Sequence, residues 1–126
     1  MESLIVCYTD ASYSPQFKVA VVGWQISGAS SEFQIYQNVS GSAQAEKLAI
    51  DHCNNAVGYA SQIILYTDHV PSAKIRTEFP NITFNYIKGH KKKSLMKNDH
   101  DRIFSQLDKK VRRELRSYIK TLQMHN

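Results

Sequence analysis

Residues 4–12 read LIVCYTDAS, and the organisation of the chain follows from this stretch. An unbroken run of apolar, β-branched and aromatic residues without proline is typical of a strand that is buried on both faces. The run ends at Thr9 and Asp10, and aspartate is rarely buried without a partner. Ligands of open α/β sheets bind at the carboxyl ends of parallel strands. Asp10 is therefore either a turn residue or a residue of a functional site, and other parts of the sequence are needed to distinguish the two.

The length and composition limit the possible classes of protein. A chain of 126 residues with 42% hydrophobic residues predicts one globular domain over 1–126. The sequence has neither the pattern of a signal peptide nor an apolar run near the ~18 residues of a membrane span, so we expect no membrane partner. Cys7 and Cys53 stand far apart in apolar surroundings. They predict buried free thiols and a reducing, cytoplasmic location.

The charge is distributed unevenly along the chain. Residues 1–87 carry 4 Lys and Arg against 7 Asp and Glu, a net charge of −3, whereas residues 88–126 carry 12 against 4, a net charge of +8. A basic segment that follows an acidic body indicates a polyanionic partner, most simply nucleic acid. A solvated helix face explains the same composition equally well.

Hydrophobic periodicity predicts eight elements in the order β-β-β-α-β-α-β-α. The first strand ends at Asp10, and Ser42 is the predicted N-cap of the first helix. Three strands joined by short turns form an antiparallel meander, and two β-α crossovers then add two parallel strands. The predicted fold is α/β, a five-stranded mixed sheet with helices on both faces. Its later elements span residues 18–26, 32–39, 43–56, 62–67, 69–79, 82–88 and 98–122.

Three carboxylates are predicted to meet at one end of this sheet. Asp10 and Asp68 each end a strand, and Glu46 lies on or beside the inward face of the first helix. Like charges a few ångströms apart repel strongly in a low dielectric unless a proton or a cation lies between them. An all-oxygen ligand set selects hard ions such as Mg²⁺ or Mn²⁺. Two such ions about 4 Å apart can activate water and stabilise the leaving oxygen in phosphodiester cleavage.

Four motifs in this order resemble the signatures of type 1 ribonuclease H. They are YTDAS around Asp10, AEKLAI around Glu46, LYTD ending at Asp68 and YIKGH ending at His90. A late aspartate that opens the last helix follows them, and the resemblance covers residues 4 to about 105. The wording around Asp10 and Glu46 is similar to the ribonuclease H domains of reverse transcriptases. The resemblance implies a ribonuclease H-like fold and an endonuclease that hydrolyses the RNA strand of RNA–DNA hybrids with weak sequence preference.

The resemblance also implies the roles of individual residues. The metal ligands would be Asp10, Glu46, Asp68 and Asp101, holding two Mg²⁺ or Mn²⁺ ions. Asp101 is preferred over Asp99 because the aliphatic Ile103 follows two positions later. His90 would assist proton transfer or product release.

Contacts to the hybrid are predicted beside these residues. The chain has no room between Asp68 and His90 for the basic protrusion of some family members, and Lys91, Lys92 and Lys93 together with the basic last helix would replace it. Ser12 and Gln44 flank two of the carboxylates and are candidates for contacts to the backbone or the 2′-hydroxyls, as well as for turn and cap roles. We expect no obligatory protein partner.

Two other functions fit parts of the sequence. The same fold carries other nucleases, such as resolvases and integrase-like strand transferases, because a fold does not fix a function. A non-catalytic module that binds nucleic acid is the second alternative. The motif ending at His90 disfavours the first alternative, and the intact Asp10, Glu46 and Asp68 disfavour the second.

Overall fold

In the computed structural model, which describes residues 4–58, 61–88 and 98–124, the chain forms a mixed α/β structure. A five-stranded open sheet has the strand order β3-β2-β1-β4-β5, with β1 at its centre. The elements are β1 (Leu4–Ser14), β2 (Val19–Ile26), β3 (Glu32–Tyr36), α1 (Ser42–Val57), β4 (Gln62–Thr67), α2 (Ala73–Arg76), β5 (Ile82–Tyr86) and α3 (Asp99–Met124). The predicted order of elements and the mixed sheet are therefore confirmed.

The central strand β1 has two different partners. It runs antiparallel to β2 from the pair Cys7–Ile26 to the pair Ser14–Val19. It runs parallel to β4 only as far as the pair Tyr8–Tyr66. Beyond Tyr8, β1 stays paired with β2 and separates from β4. The prediction that the first strand ends at Asp10 was therefore wrong, because antiparallel pairing with β2 carries the strand on to Ser14.

Alternation along β2 assigns the two helices to opposite faces of the sheet. Val19 and Val21 belong to a core with residues of α3, whereas Ala20 and Val22 belong to a core with residues of α1. Successive side chains of a strand point to opposite faces, so the two cores lie on the two sides of one sheet. Helices on both faces were predicted. Two buried layers explain why the central strands are apolar at nearly every position.

The first helix differs from its prediction at its start. Gly41 occupies the N-cap position without a side-chain hydrogen bond, and Ser42 is the first helical residue instead of the cap. The helix ends at Val57, and Gly58 is its C-cap residue, with a φ of 104° that favours glycine. The buried thiols of Cys7 and Cys53 are free, as predicted, and lie in one core between β1 and α1.

The other predicted helices have different lengths in the structure. The helix expected over 69–79 is reduced to the four residues of α2, with the Ser72 side chain accepting a hydrogen bond at its N-terminus. In contrast, α3 forms over 26 residues, slightly more than predicted. No helix among the described residues is both long enough and apolar enough to cross a membrane.

Candidate metal centre

Asp10 lies where β1 and β4 separate. It follows the last parallel pair by two residues and stands opposite Gly23 in the antiparallel register with β2. Its side chain is 2% exposed, and its Oδ2 atom has no hydrogen-bond partner in the described part of the chain. A buried carboxylate oxygen without a partner is costly, so this position favours either a bound proton or a bound cation.

Glu46 and Asp68 complete a compact set of three. Glu46 stands in the second turn of α1 and is 7% exposed, as its predicted inward position requires. The backbone of Ala11 donates a hydrogen bond to it, but its Oε2 atom has no partner among the described residues. Asp68 follows β4 directly and is half-buried. Each of the three residues offers one carboxylate oxygen, and these three oxygens lie within 4.8 Å of one another.

A fourth carboxylate comes from the middle of α3. Asp108 is 5% exposed, and the protonated Asp10 carboxyl donates a hydrogen bond to it. The Nη2 atom of Arg112 lies 3.0 Å from the Oδ2 atom of Asp108, one helical turn further along. Asp108 therefore lies between a carboxyl group of β1 and a guanidinium group of its own helix.

The pKa values of Asp10 and Glu46 are raised because both carboxyl groups are buried close to other carboxylates. Burial, the hydrogen bond to Asp108 and the charges of Asp68, Glu46 and Asp108 raise the pKa of Asp10 to about 10. Burial, followed by the charge of Asp68, raises the pKa of Glu46 to about 8, although the Ala11 backbone opposes the shift. Without a cation the cluster therefore retains protons at neutral pH. A divalent ion would stabilise the deprotonated carboxylates in place of those protons.

The donor set fits a hard cation. It consists of carboxylate oxygens, two of which lack partners within the described ranges, and it contains neither sulfur nor imidazole. Oxygen ligands of this kind suit Mg²⁺ or Mn²⁺ and not zinc. Asp10, Glu46 and Asp68 can hold a metal ion.

The predicted fourth ligand, Asp101, stands elsewhere on α3. It is buried in the first turn of the helix, and its backbone N–H donates a hydrogen bond of 3.0 Å to the Asn98 side chain. Asp99, the alternative, is exposed and forms an ion pair with Arg102. Seven residues of helix correspond to about 10 Å along its axis, so Asp101 lies two turns before Asp108. We take Asp108 as the fourth carboxylate, and the metal role of Asp101 stays a sequence-based prediction.

The signal that identifies Asp108 was present in the sequence. Phe104, Leu107, Val111 and Leu115 form the buried stripe of α3. Asp108 follows Leu107 directly and precedes Val111 by three, so it belongs to this stripe. An aspartate on the apolar stripe of an amphipathic helix is the same anomaly that identified Asp10.

An aromatic group holds the start of α3 against the strands that carry the carboxylates. The Tyr8 hydroxyl is hydrogen-bonded to Nδ1 of His100 at 2.6 Å, and the Tyr66 ring stacks on the His100 ring with centroids 4.3 Å apart. Tyr8 and Tyr66 precede Asp10 and Asp68 by two residues each. Together with the packing of α3 in the core, this contact helps to set the register of α3 on the sheet and so contributes to the position of Asp108.

The predicted nucleic-acid contacts are only partly described. Ser12 is half-buried on β1, two residues beyond Asp10 and therefore on the same side of the strand. The Oε1 atom of Gln44 accepts hydrogen bonds from the backbone N–H and the hydroxyl of Ser40, at 2.7 and 2.8 Å, which connects the residue before the N-cap to the first turn of α1. The contacts of Ser12 and Gln44 to nucleic acid stay predictions. His90, Lys91, Lys92 and Lys93 lie outside the described residues.

The outer side of α3 is strongly basic. The exposed side chains of Lys109, Arg113, Arg116 and Lys120 follow one another at steps of four, three and four residues. This spacing places them on one helical stripe, which we call the basic face of α3. Within the described part of the chain, no salt bridge connects the basic face to a carboxylate.

Comparisons with known proteins do not assign the chain to a family. No family model matches it, and no curated protein is significantly similar to it.

Proposed function

We propose that this protein is a metal-dependent endonuclease with a ribonuclease H-like fold that hydrolyses the RNA strand of RNA–DNA hybrids. The observation that carries the proposal is the carboxylate cluster. One carboxylate oxygen from each of Asp10, Glu46 and Asp68 lies within 4.8 Å of the other two, and Asp108 adjoins Asp10. The motif resemblance to type 1 ribonuclease H supports the same proposal independently of the structure.

The residues of the chain have distinct roles in this proposal. Asp10, Glu46, Asp68 and Asp108 would hold Mg²⁺ or Mn²⁺, as one or two ions. When bound, such ions supply Lewis-acid activation of the phosphodiester and lower the pKa of coordinated water. Asp10 and Glu46, whose pKa values are raised, must release their protons as the metal binds, so metal affinity rises with pH. His90 would move a proton during cleavage or product release, as the resemblance implies.

The basic part of the chain would provide the affinity for the substrate. Phosphate contacts from Lys and Arg are independent of sequence, and the bases in the deep groove of an A-like duplex are out of reach of side chains. Recognition would therefore depend on backbone shape and 2′-hydroxyl groups. The basic face of α3 and Lys91–Lys93 are the candidate phosphate contacts.

A cleavage assay with four substrates tests the proposal. The wild type is incubated with an RNA–DNA hybrid, duplex DNA, duplex RNA and branched DNA, in Mg²⁺ and in Mn²⁺. We expect cleavage of the RNA strand of the hybrid alone, and loss of activity in Asp10→Asn. Glu32→Gln is the control, because Glu32 is an exposed carboxylate on β3. No cleavage by the wild type with either metal, or full activity in Asp10→Asn, would refute the proposal. Preferential cleavage of branched DNA would indicate a resolvase-like nuclease instead.

A further inference from the structure

The side chain of Arg112 carries a positive charge next to the carboxylate cluster. Its guanidinium lies 3.0 Å from Asp108, whose side chain is only 6% exposed, whereas the side chain of Arg112 is 37% exposed. Asp108 in turn accepts a hydrogen bond from the carboxyl group of Asp10. Arg112, Asp108 and Asp10 therefore form a chain of contacts from the helix surface to the buried carboxyl group of β1.

The ion pair brings the positive charge of Arg112 next to Asp108 but does not satisfy every N–H donor of the guanidinium. The Nε atom of Arg112 is buried and has no acceptor among the described residues. A planar guanidinium binds a carboxylate best through two parallel hydrogen bonds, which would satisfy more of its five donors. Arg112 therefore supplies positive charge to Asp108 while one of its own donors stays without a partner in the described part of the chain.

The consequence concerns the metal ions of the proposed function, on which this inference rests. Asp10, Glu46 and Asp68 form one tight group of oxygen ligands. Asp108 stands beside this group and already has a cationic partner in Arg112. A second divalent ion that approaches between Asp10 and Asp108 would have to share Asp108 with a positive charge fixed by the helix.

We infer that the cluster has two metal positions, a tight one at Asp10, Glu46 and Asp68 and a weaker one at Asp108. The second position is weaker because Arg112 competes with the divalent ion for Asp108. Asp10, Glu46 and Asp68 hold the first ion. Asp108 contributes to the second, and Arg112 lowers the affinity there while it offsets part of the negative charge of the cluster without metal. Arg112 is a positioning residue, since it acts through Asp108.

Arg113 provides a matched control for the charge of Arg112. The two residues are adjacent on α3, and Arg113 is exposed on the basic face. Replacing either arginine by glutamine removes one positive charge from the same part of the helix. Only the Arg112 substitution removes the ion pair with Asp108, so a difference between the two variants isolates that ion pair from the general field of the protein.

The experiment measures Mn²⁺ binding without substrate. Titration calorimetry and the electron paramagnetic resonance signal of free Mn²⁺ count the bound ions in the wild type, Arg112→Gln, Arg112→Lys and Arg113→Gln. In Arg112→Gln we expect the weaker Mn²⁺ position to bind about 10-fold more tightly, equivalent to about 1.4 kcal/mol. Arg112→Lys, which keeps the charge, and Arg113→Gln should stay within about twofold of the wild type. Equal weak-site affinity in Arg112→Gln and Arg113→Gln, or weaker binding in Arg112→Gln, would overturn the inference.

If Arg112→Gln does not fold, Asp108→Asn tests the inference instead. This variant should lose the weaker Mn²⁺ position and retain the tight one, and an unchanged weaker position would contradict the inference. A wrong proposed function would give a different result in the same Mn²⁺-binding measurements. In that case the wild type binds no Mn²⁺, or Asp10→Asn binds it as well as the wild type does.

Discussion

The metal-free protein should lose stability as the pH rises, and Asp10 should cause a large part of the loss. The pKa of Asp10 is raised from 3.8 to about 10 in the folded state. Between these values the folded protein holds a proton that the unfolded chain has released. The unfolding free energy therefore falls with rising pH throughout this range, by about 1.4 kcal/mol per pH unit for one such group. From pH 5 to pH 8 the loss is about 4 kcal/mol, a large part of the roughly 5–15 kcal/mol that stabilise a domain.

Asp10→Asn isolates this contribution. The amide resembles the protonated carboxyl but does not titrate, so the variant should lack the slope that Asp10 causes. Glu46, whose pKa is raised to about 8, adds a slope of the same sign to both proteins. The gap in unfolding free energy between Asp10→Asn and the wild type should therefore widen by about 1.4 kcal/mol per pH unit in favour of the variant.

Urea unfolding at pH 5, 6, 7 and 8 in the presence of EDTA measures the gap. Glu32→Gln, which changes an exposed carboxylate outside the cluster, should follow the wild type at every pH. Parallel curves for Asp10→Asn and the wild type, or a gap that narrows as the pH rises, would refute this origin of the slope. Either result would mean that the folded protein does not hold the proton of Asp10 as tightly as its burial and its neighbours require.

Three further predictions concern the metal, the packing of α3 and the basic face. At 100 times its dissociation constant, Mg²⁺ or Mn²⁺ should stabilise the wild type by about 2.7 kcal/mol in thermal unfolding, and Asp10→Asn should lose most of this gain. Gly23→Ala should cost about 1–3 kcal/mol in urea unfolding, because a Cβ at this position would lie 2.5 Å from Val111 and 3.0 Å from Leu107. Gly41→Ser, where the added Cβ has open space, should stay close to the wild type. Replacing the four residues of the basic face of α3 by glutamine should weaken hybrid binding, and the salt slope should fall by about 0.9 for each phosphate that is no longer neutralised. An unchanged slope would exclude this face as a phosphate-binding surface.

Much of the fold was predictable because its signals are local. Continuous apolar runs indicated the central strands, and the helical period indicated α1 and α3. The predictions of element boundaries were wrong where contacts with distant parts of the chain determine the local structure. The first strand continues past Asp10 because β2 pairs with it as far as Ser14, and no feature of residues 10–14 alone requires that. The helix expected over 69–79 had a weaker pattern than the other two helices, and only its middle is helical in the structure.

The candidate site was predictable to the extent that each carboxylate violates the pattern of its own element. Asp10 and Asp68 end apolar runs, and Glu46 lies on an inward helical face. Asp101, with Asp99 as the alternative, was predicted because the motif resemblance placed the fourth ligand at the start of the last helix, and Asp108 was not considered. The structure adds the register of α3 on the sheet, fixed in part by the hydrogen bond between Tyr8 and His100, and this register brings Asp108 to Asp10.

The long sequence separation between β1 and α3 has a consequence for the order of folding. Asp10 and Asp108 are separated by most of the chain, and α3 covers the face of β1 and β2 that α1 leaves open. The contact between Asp10 and Asp108 forms only when α3 docks on β1, so we place it late on the folding pathway. An interaction absent from the folding transition state acts on the rate of unfolding and not on the rate of folding. A divalent ion in the cluster would then prolong the lifetime of the folded protein, while the chain would reach that state no faster.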